Sequence, residues 1–217
     1  MIVTIDGPAG AGKSSAARSL ARRLGFRFLD TGAMYRAVTF AALERGVDLE
    51  DADALGRVAR DIDLVITDDQ VLLDGRDVTK AIRTMEITAQ TRYAADHVGV
   101  RERLVELQRQ FAAGKDVVAE GRDQASIVFP HAECKVFLTA SEEERARRRH
   151  RDLLQRGEQV TYEDVLEKQR FRDERDEARQ VGGLRQLPDS IVMNTDGMTP
   201  EEVVDCLEGI VRERKQR

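Results

Sequence analysis

Apolar Ile2-Val3-Thr4-Ile5 opens the chain as a short continuous run, the mark of a strand buried on both faces. The period then changes. Ala17, Leu20, Ala21 and Leu24 recur at helical spacing, which predicts a helix over 15–24 that Gly25 stops. Arg27-Phe28-Leu29 reads as a second short strand. Met34, Ala37, Val38 and Ala41 line a helix over 33–45 that ends at Gly46, and a short helix follows over 53–61. Next come two brief apolar stretches, Leu64-Val65-Ile66 and Val71-Leu72-Leu73, and a short stretch at Arg76-Asp77-Val78. Asp68-Asp69 and Asp74-Gly75 separate them as turn signals, so a small antiparallel ribbon is expected.

Helical period returns over 100–113, ahead of Gly114. Asp116-Val117-Val118-Ala119 and Lys135-Val136-Phe137-Leu138 read as core strands. Ser141 with Glu144 forms a capping-box pattern opening an arginine-rich helix, and Thr161 with Asp164 caps a helix running to about 178. Ile191-Val192-Met193 is a last strand. Thr199-Pro200-Glu201-Glu202 caps the final helix, with proline at its first position. Strands alternating with helices predict an α/β fold, a parallel sheet with helices on both faces. Residues 63–100 read as an insertion into that core.

Composition narrows the classes. Hydrophobic residues are 41% and charged residues 35%, as in an ordered globular chain. The net charge of −5 argues against a general nucleic-acid binder, whose affinity rests on positive charge. No apolar run of about 18 residues exists, so no membrane span is expected. The chain enters a strand by residue 2, leaving no room for a signal peptide, and a cytoplasmic enzyme is the expectation. Cys134 and Cys206 fit no metal spacing and read as reduced core thiols.

The chemistry starts at Gly7-Pro8-Ala9-Gly10-Ala11-Gly12-Lys13-Ser14, a full G-x-x-x-x-G-K-[ST] pattern between a strand and a helix. Its glycines let backbone N–H groups wrap a phosphate at the helix N-terminus. Lys13 reaches the β- and γ-phosphates, and the Ser14 hydroxyl holds Mg²⁺. A nucleoside triphosphate is therefore expected as a ligand.

Three further segments suit a second phosphate. Thr31 and Arg36 follow the second strand, where loops of a doubly wound sheet line the ligand crevice. Arg122 and Asp123 follow the next core strand in the same way. Arg172, Asp176 and Arg179 share one helix face, with Arg175 beside them. Arg145, Arg147, Arg148, Arg149 and Arg151 crowd the preceding helix, enough guanidinium to close over phosphate as a lid. Each segment alone is also what an ordinary turn or a solvated salt-bridge face looks like.

Together, in this order and spacing, they resemble bacterial cytidylate kinase, the CMP/dCMP branch of the P-loop nucleoside monophosphate kinases. The resemblance runs through nearly the whole chain. It rests on the phosphate loop, Leu29-Asp30-Thr31-Gly32-Ala33-Met34-Tyr35-Arg36 and Ile82-Arg83-Thr84-Met85-Glu86. Val100-Arg101, Gln108-Arg109, Gly121-Arg122-Asp123 and Val128-Phe129-Pro130 continue it. The stretches Ala140-Ser141-Glu142-Glu143-Glu144-Arg145-Ala146-Arg147-Arg148 and Arg172-Asp173-Glu174-Arg175-Asp176 complete it.

The resemblance implies a single P-loop kinase unit over 1–217. Within it, 63–100 is the nucleoside-monophosphate-binding insertion and 148–165 the lid region. It implies transfer of the ATP γ-phosphoryl group to CMP or dCMP, with Mg²⁺ held by Ser14 through ATP. Gly7, Pro8, Ala9, Gly10, Ala11, Gly12, Lys13, Ser14, Ser15 and Arg148 would bind ATP, and Lys13, Arg122 and Arg172 would be catalytic. Arg36, Arg122 and Arg172 would hold the acceptor phosphate, Asp176 and Arg179 the sugar, and Arg109 and Asp123 the cytosine, with Thr31 nearby. The expected partners are ATP, CMP and dCMP, with no nucleic acid, no membrane and a monomeric protein. The chain departs from the family pattern at Gln124-Ala125-Ser126 in place of Met-Gly-Thr. Arg92 beside Thr91 stands where a small residue is usual, Gly182-Gly183-Leu184 replaces Ala-Pro-Leu, and Asn194 replaces an aspartate. The alternative is a P-loop kinase for UMP, AMP or a small metabolite. A guanine-nucleotide switch is disfavoured, since Asn194 is the only asparagine and precedes Thr195 rather than lysine.

Overall fold

The computed structural model describes residues 1–155 and 157–216; Arg156, inside the expected lid, and Arg217, the last residue of the expected unit, lie outside the described residues. The first elements are β1 (Ile2–Asp6), α1 (Lys13–Leu24), β2 (Arg27–Asp30), α2 (Thr31–Glu44) and α3 (Ala52–Asp61). Then follow β3 (Leu64–Ile66), β4 (Val71–Leu73), β5 (Arg76–Asp77), a 3-10 turn (Ala81–Arg83), α4 (Met85–Asp96) and α5 (Val98–Ala112). The chain closes with β6 (Val117–Gly121), a π-helical turn (Gln124–Val128), β7 (Cys134–Thr139), α6 (Glu142–Gln155), α7 (Tyr162–Ala178), β8 (Ile191–Asn194) and α8 (Pro200–Lys215).

The larger sheet has five strands in the order β2-β6-β1-β7-β8, and the smaller one has the order β3-β4-β5. Strand β1 pairs β7 in parallel with Val3 opposite Cys134, and β7 pairs β8 in parallel with Val136 opposite Ile191. The expected α/β class is therefore observed. The expected ribbon is antiparallel, with Leu64 opposite Leu73 and Leu72 opposite Asp77.

Two compact units divide the chain: Met1–Phe26 with Val118–Arg217, and Arg27–Val117. In the first, Val3, Ile5, Val118, Val136 and Leu138 are sealed from solvent, which explains their unbroken apolar runs. In the second, Leu29, Met34, Leu55, Ile82 and Leu104 form the interior. Helices α6 and α7 of the first unit join through Ala146, Leu153 and Val165, packed by Val160, Tyr162 and Leu166.

Several local expectations change, and helices α1 and α5 begin two residues early, at Lys13 and Val98. Helix α2 begins at Thr31, two residues early, because the Asp30 carboxylate accepts from the Ala33 N–H and caps it. Helix α4 occupies a stretch read only as insertion, opened by Thr84 accepting from the Ile87 N–H. The Ser141 hydroxyl accepts from the Glu144 N–H, but Glu144 does not reciprocate. Its carboxylate takes Arg148, while the Ser141 N–H goes to Asp196. Cys134 is buried as expected, with its thiol pushed up to about 11 by burial, but Cys206 is exposed and not a core thiol.

Candidate functional site

In the first unit, β1 delivers the chain into the glycine-rich loop. Gly7 has no alternative there: a Cβ would lie 1.9 Å from the Leu138 carbonyl oxygen of β7. Gly10 and Gly12 hold φ of 80° and 85°, the left-handed region that favours glycine. The loop then turns into α1, whose first residue is Lys13.

Lys13 is buried, and its Nζ donates to the Pro8 carbonyl at 2.8 Å across the loop. Burial pulls its pKa down to about 7, and repulsion from Arg122 and Arg172 adds to this against the opposing pull of Glu120 and Asp6. A desolvated cation short of negative charge is primed for an anion. The Ser14 hydroxyl donates to Glu120 Oε1 at 2.7 Å, and the Ser15 hydroxyl donates to the Gly12 carbonyl at 3.0 Å. Glu120, at the end of β6, is a site residue that sequence reasoning passed over. A serine hydroxyl beside a carboxylate is the hard-oxygen donor set Mg²⁺ takes.

Two arginines of α6 sit against the loop. Arg145 is buried and donates to the Ala9 carbonyl at 2.9 Å, to Asp173 Oδ2 at 2.5 Å and to the Ala140 carbonyl at 3.0 Å. Arg148 lies beside Gly12: a Cβ there would be 3.9 Å from its Nη1. It donates to Glu144 and to both the hydroxyl and the carbonyl of Thr195. Of the crowded arginines, Arg145 is thus the structural tie and Arg148 the half-buried one alongside the loop.

The loop after β6 meets α7. Arg122 Nε donates to Asp176 Oδ2 at 2.8 Å, and Arg179 Nη2 donates to Asp176 Oδ1 at 3.0 Å. Burial pushes the Asp176 carboxyl up, but Arg122, Arg172 and Arg179 outweigh it and hold it below the usual range. Arg172 is exposed on α7, within electrostatic reach of both Asp176 and Lys13. Gly183 closes this corner. The Leu184 N–H donates to the Asp176 carbonyl at 2.8 Å, and a Cβ on Gly183 would lie 2.6 Å from the Arg179 carbonyl oxygen. Asp123 is buried next to Arg122. Behind it the Asp6 carboxylate accepts from the N–H groups of Gln124 at 3.0 Å and Ala125 at 2.8 Å. Burial raises Asp6 to about 6 despite those two bonds.

The second unit carries its own charged cluster. Asp30, at the end of β2, accepts from Arg36 at 3.3 Å and from Arg83 at 2.9 Å as well as capping α2. Burial pushes its carboxyl up, yet Arg36 and Arg83 hold it below the usual range. Thr31 is buried in the first turn of α2. On α5 the expected Arg109 is exposed, whereas Arg101 is buried, with its guanidinium 5.9 Å from the Tyr35 ring centroid and Nη1 on the Ala95 carbonyl. Arg92 is exposed and donates to the Tyr93 hydroxyl, while the Thr91 hydroxyl folds back onto the Ile87 carbonyl.

The chain is similar to known proteins along nearly its whole length. Residues 3–213 match the family model described as cytidylate kinase. A cytidylate kinase of Rhodopirellula baltica is 51% identical over 213 residues, which is 98% of this chain and 93% of that one. Another, of Carboxydothermus hydrogenoformans, is 48% identical over 215 residues, 97% of each. Among solved structures, shikimate kinase from Bacteroides thetaiotaomicron matches 98% of each chain at 14% identity and a TM-score of 0.50, a likeness of fold alone.

Proposed function

Because this chain belongs to the cytidylate kinase family, we propose a division of labour among its charged residues. The reaction is transfer of the ATP γ-phosphoryl group to CMP or dCMP, giving ADP and CDP or dCDP. An oxygen of the acceptor monophosphate attacks the γ-phosphorus while the bond to the β-phosphate bridging oxygen breaks. The attacking acceptor oxygen is already ionised, so the protein supplies position and countercharge rather than a base.

The observation that carries the donor role is the buried Lys13, laid on the Pro8 carbonyl with Ser14 and Glu120 beside it. Lys13 and the loop amides bind the triphosphate, and Arg148 lies along the loop as a further ATP contact. Ser14 would hold Mg²⁺, with Glu120 as its neighbour, and the ion would neutralise phosphate charge there. Arg36, Arg122 and Arg172 are assigned to the acceptor phosphate, with Asp176 and Arg179 to the sugar. For the cytosine edge, burial supports Asp123 and favours Arg101 over Arg109. Residues 63–100 are assigned as the acceptor-binding insertion and 148–165 as the lid that excludes water.

An acceptor panel of CMP, dCMP, UMP, AMP and GMP with ATP and Mg²⁺ tests this reading. CMP and dCMP should give the highest kcat/KM, and preference for UMP or AMP would overturn the assignment. Among the described residues no helix is long and apolar enough to cross a membrane. A cytoplasmic monomer is our proposal, which size-exclusion chromatography and cell fractionation check.

A further inference from the structure

We propose that Arg83 is a further acceptor-phosphate residue, held ready by Asp30 together with Arg36. The inference rests on the kinase reading and extends it to a side chain so far without a role.

Asp30 ends β2 and caps α2, so its position is fixed by backbone at both ends. Its side chain is only 8% exposed. Arg36 reaches it from one turn along α2, and Arg83 from the 3-10 turn, 53 positions away in the chain. Two cations on one carboxylate leave the cluster at +1, and the N-terminus of α2 adds partial positive charge. That surplus suits a phosphate monoester, which carries close to two negative charges at neutral pH.

The donors are also in place. Arg36 meets Asp30 only through Nη2, at 3.3 Å to each carboxylate oxygen, and its Nε is buried with no hydrogen-bond partner among the described residues. Arg83 spends one side-chain bond on Asp30, and the side chain is 44% exposed. A guanidinium has five N–H donors in a planar fork, so both arginines keep donors for phosphate oxygens. Gly32 makes the room: a Cβ there would stand 3.1 Å from Arg36 Nη1. Asp30 therefore orients two forks without satisfying either, as a preorganised anion site requires. A tether whose only task was to pin the 3-10 turn would not need Arg36 on the same carboxylate.

The test separates phosphate from nucleoside. Arg83→Gln should raise the KM for CMP about tenfold, or about 1.4 kcal/mol, and leave the KM for ATP within twofold. Calorimetry should show weakened CMP binding and unchanged binding of cytidine, which lacks the phosphate. Arg83→Lys should recover part of the CMP affinity. An unchanged KM for CMP, or equal losses for CMP and cytidine, would overturn the role and leave Arg83 as a structural tether. If Arg83→Gln does not fold, the same pair of ligands measured on Arg83→Lys decides, since a phosphate contact predicts a CMP-only loss. Failure of the unmodified protein to bind CMP at all would strike the kinase reading instead.

Discussion

Each compact unit places two arginines on one aspartate, Asp176 in the first and Asp30 in the second, and the two grips differ in build. Asp176 gives one oxygen to Arg122 and the other to Arg179, at 2.8 and 3.0 Å, and those side chains are 18% and 9% exposed. Asp30 shares its oxygens among the Ala33 N–H, Arg83 and a long contact to Arg36, and Arg83 is 44% exposed. Both clusters sum to +1; the first is a clamp that holds its arginines by short bonds away from solvent, while the second is looser and leaves donors over. A short, shielded bond fixes a posture; a long or exposed one keeps donors for a ligand.

The largest expected effect belongs to the cation that neither aspartate holds. Lys13→Ala should cost on the order of 3 kcal/mol in the barrier, read as a loss of kcat in a coupled ADP assay. Near-normal turnover would remove Lys13 from the mechanism. Asp176→Asn leaves two shielded guanidiniums facing each other and should lower unfolding free energy by about 3 kcal/mol in denaturant titration. Asp30→Asn should cost only about 1 kcal/mol, because Arg83 can turn to water, but it should raise the KM for CMP. Equal stability losses in the two variants would break the comparison.

Asp6 sharpens it, as a buried carboxylate that grips backbone N–H groups rather than arginines. Its pKa rises to about 6 where those of Asp30 and Asp176 fall. The folded state then binds the Asp6 proton more tightly than the unfolded state does. Stability should decline as pH rises from about 4 to about 6, by on the order of 2 kcal/mol relative to Asp6→Asn. Thermal melts of both proteins across that range check the sign. A small effect is also expected at Gly183, where alanine must push the Arg179 carbonyl away. That should cost about 1–2 kcal/mol of stability and weaken the clamp side alone, leaving the Arg83 result unchanged.

Much of this was legible in the chain because it is local. The alternating strands and helices, the phosphate loop and the Thr199 cap each lie within a dozen residues. What escaped is what the fold joins across distance. Asp6 meets the Gln124 N–H 118 positions on, and Ser14 meets Glu120 106 positions on, with no nearby signal at either end. Arg101 and Arg109 stand eight residues apart on α5, and nothing in the local sequence showed that the first is buried and the second exposed. Helix α4 was hidden because Thr84-Met85-Glu86-Ile87 follows the ribbon with few apolar positions to set a period.

The Asp6 grip has one more consequence, for anyone wishing to rewrite the loop after Asp123. Its bonds are to main-chain N–H groups, so the anchor is indifferent to which side chains follow. Gln124 and Ala125 can be exchanged as far as their packing allows while the loop keeps its path, and proline, which has no N–H to give, is the one residue the anchor refuses. Gln124 and Ala125 are therefore held by their main chain, whichever side chains stand there.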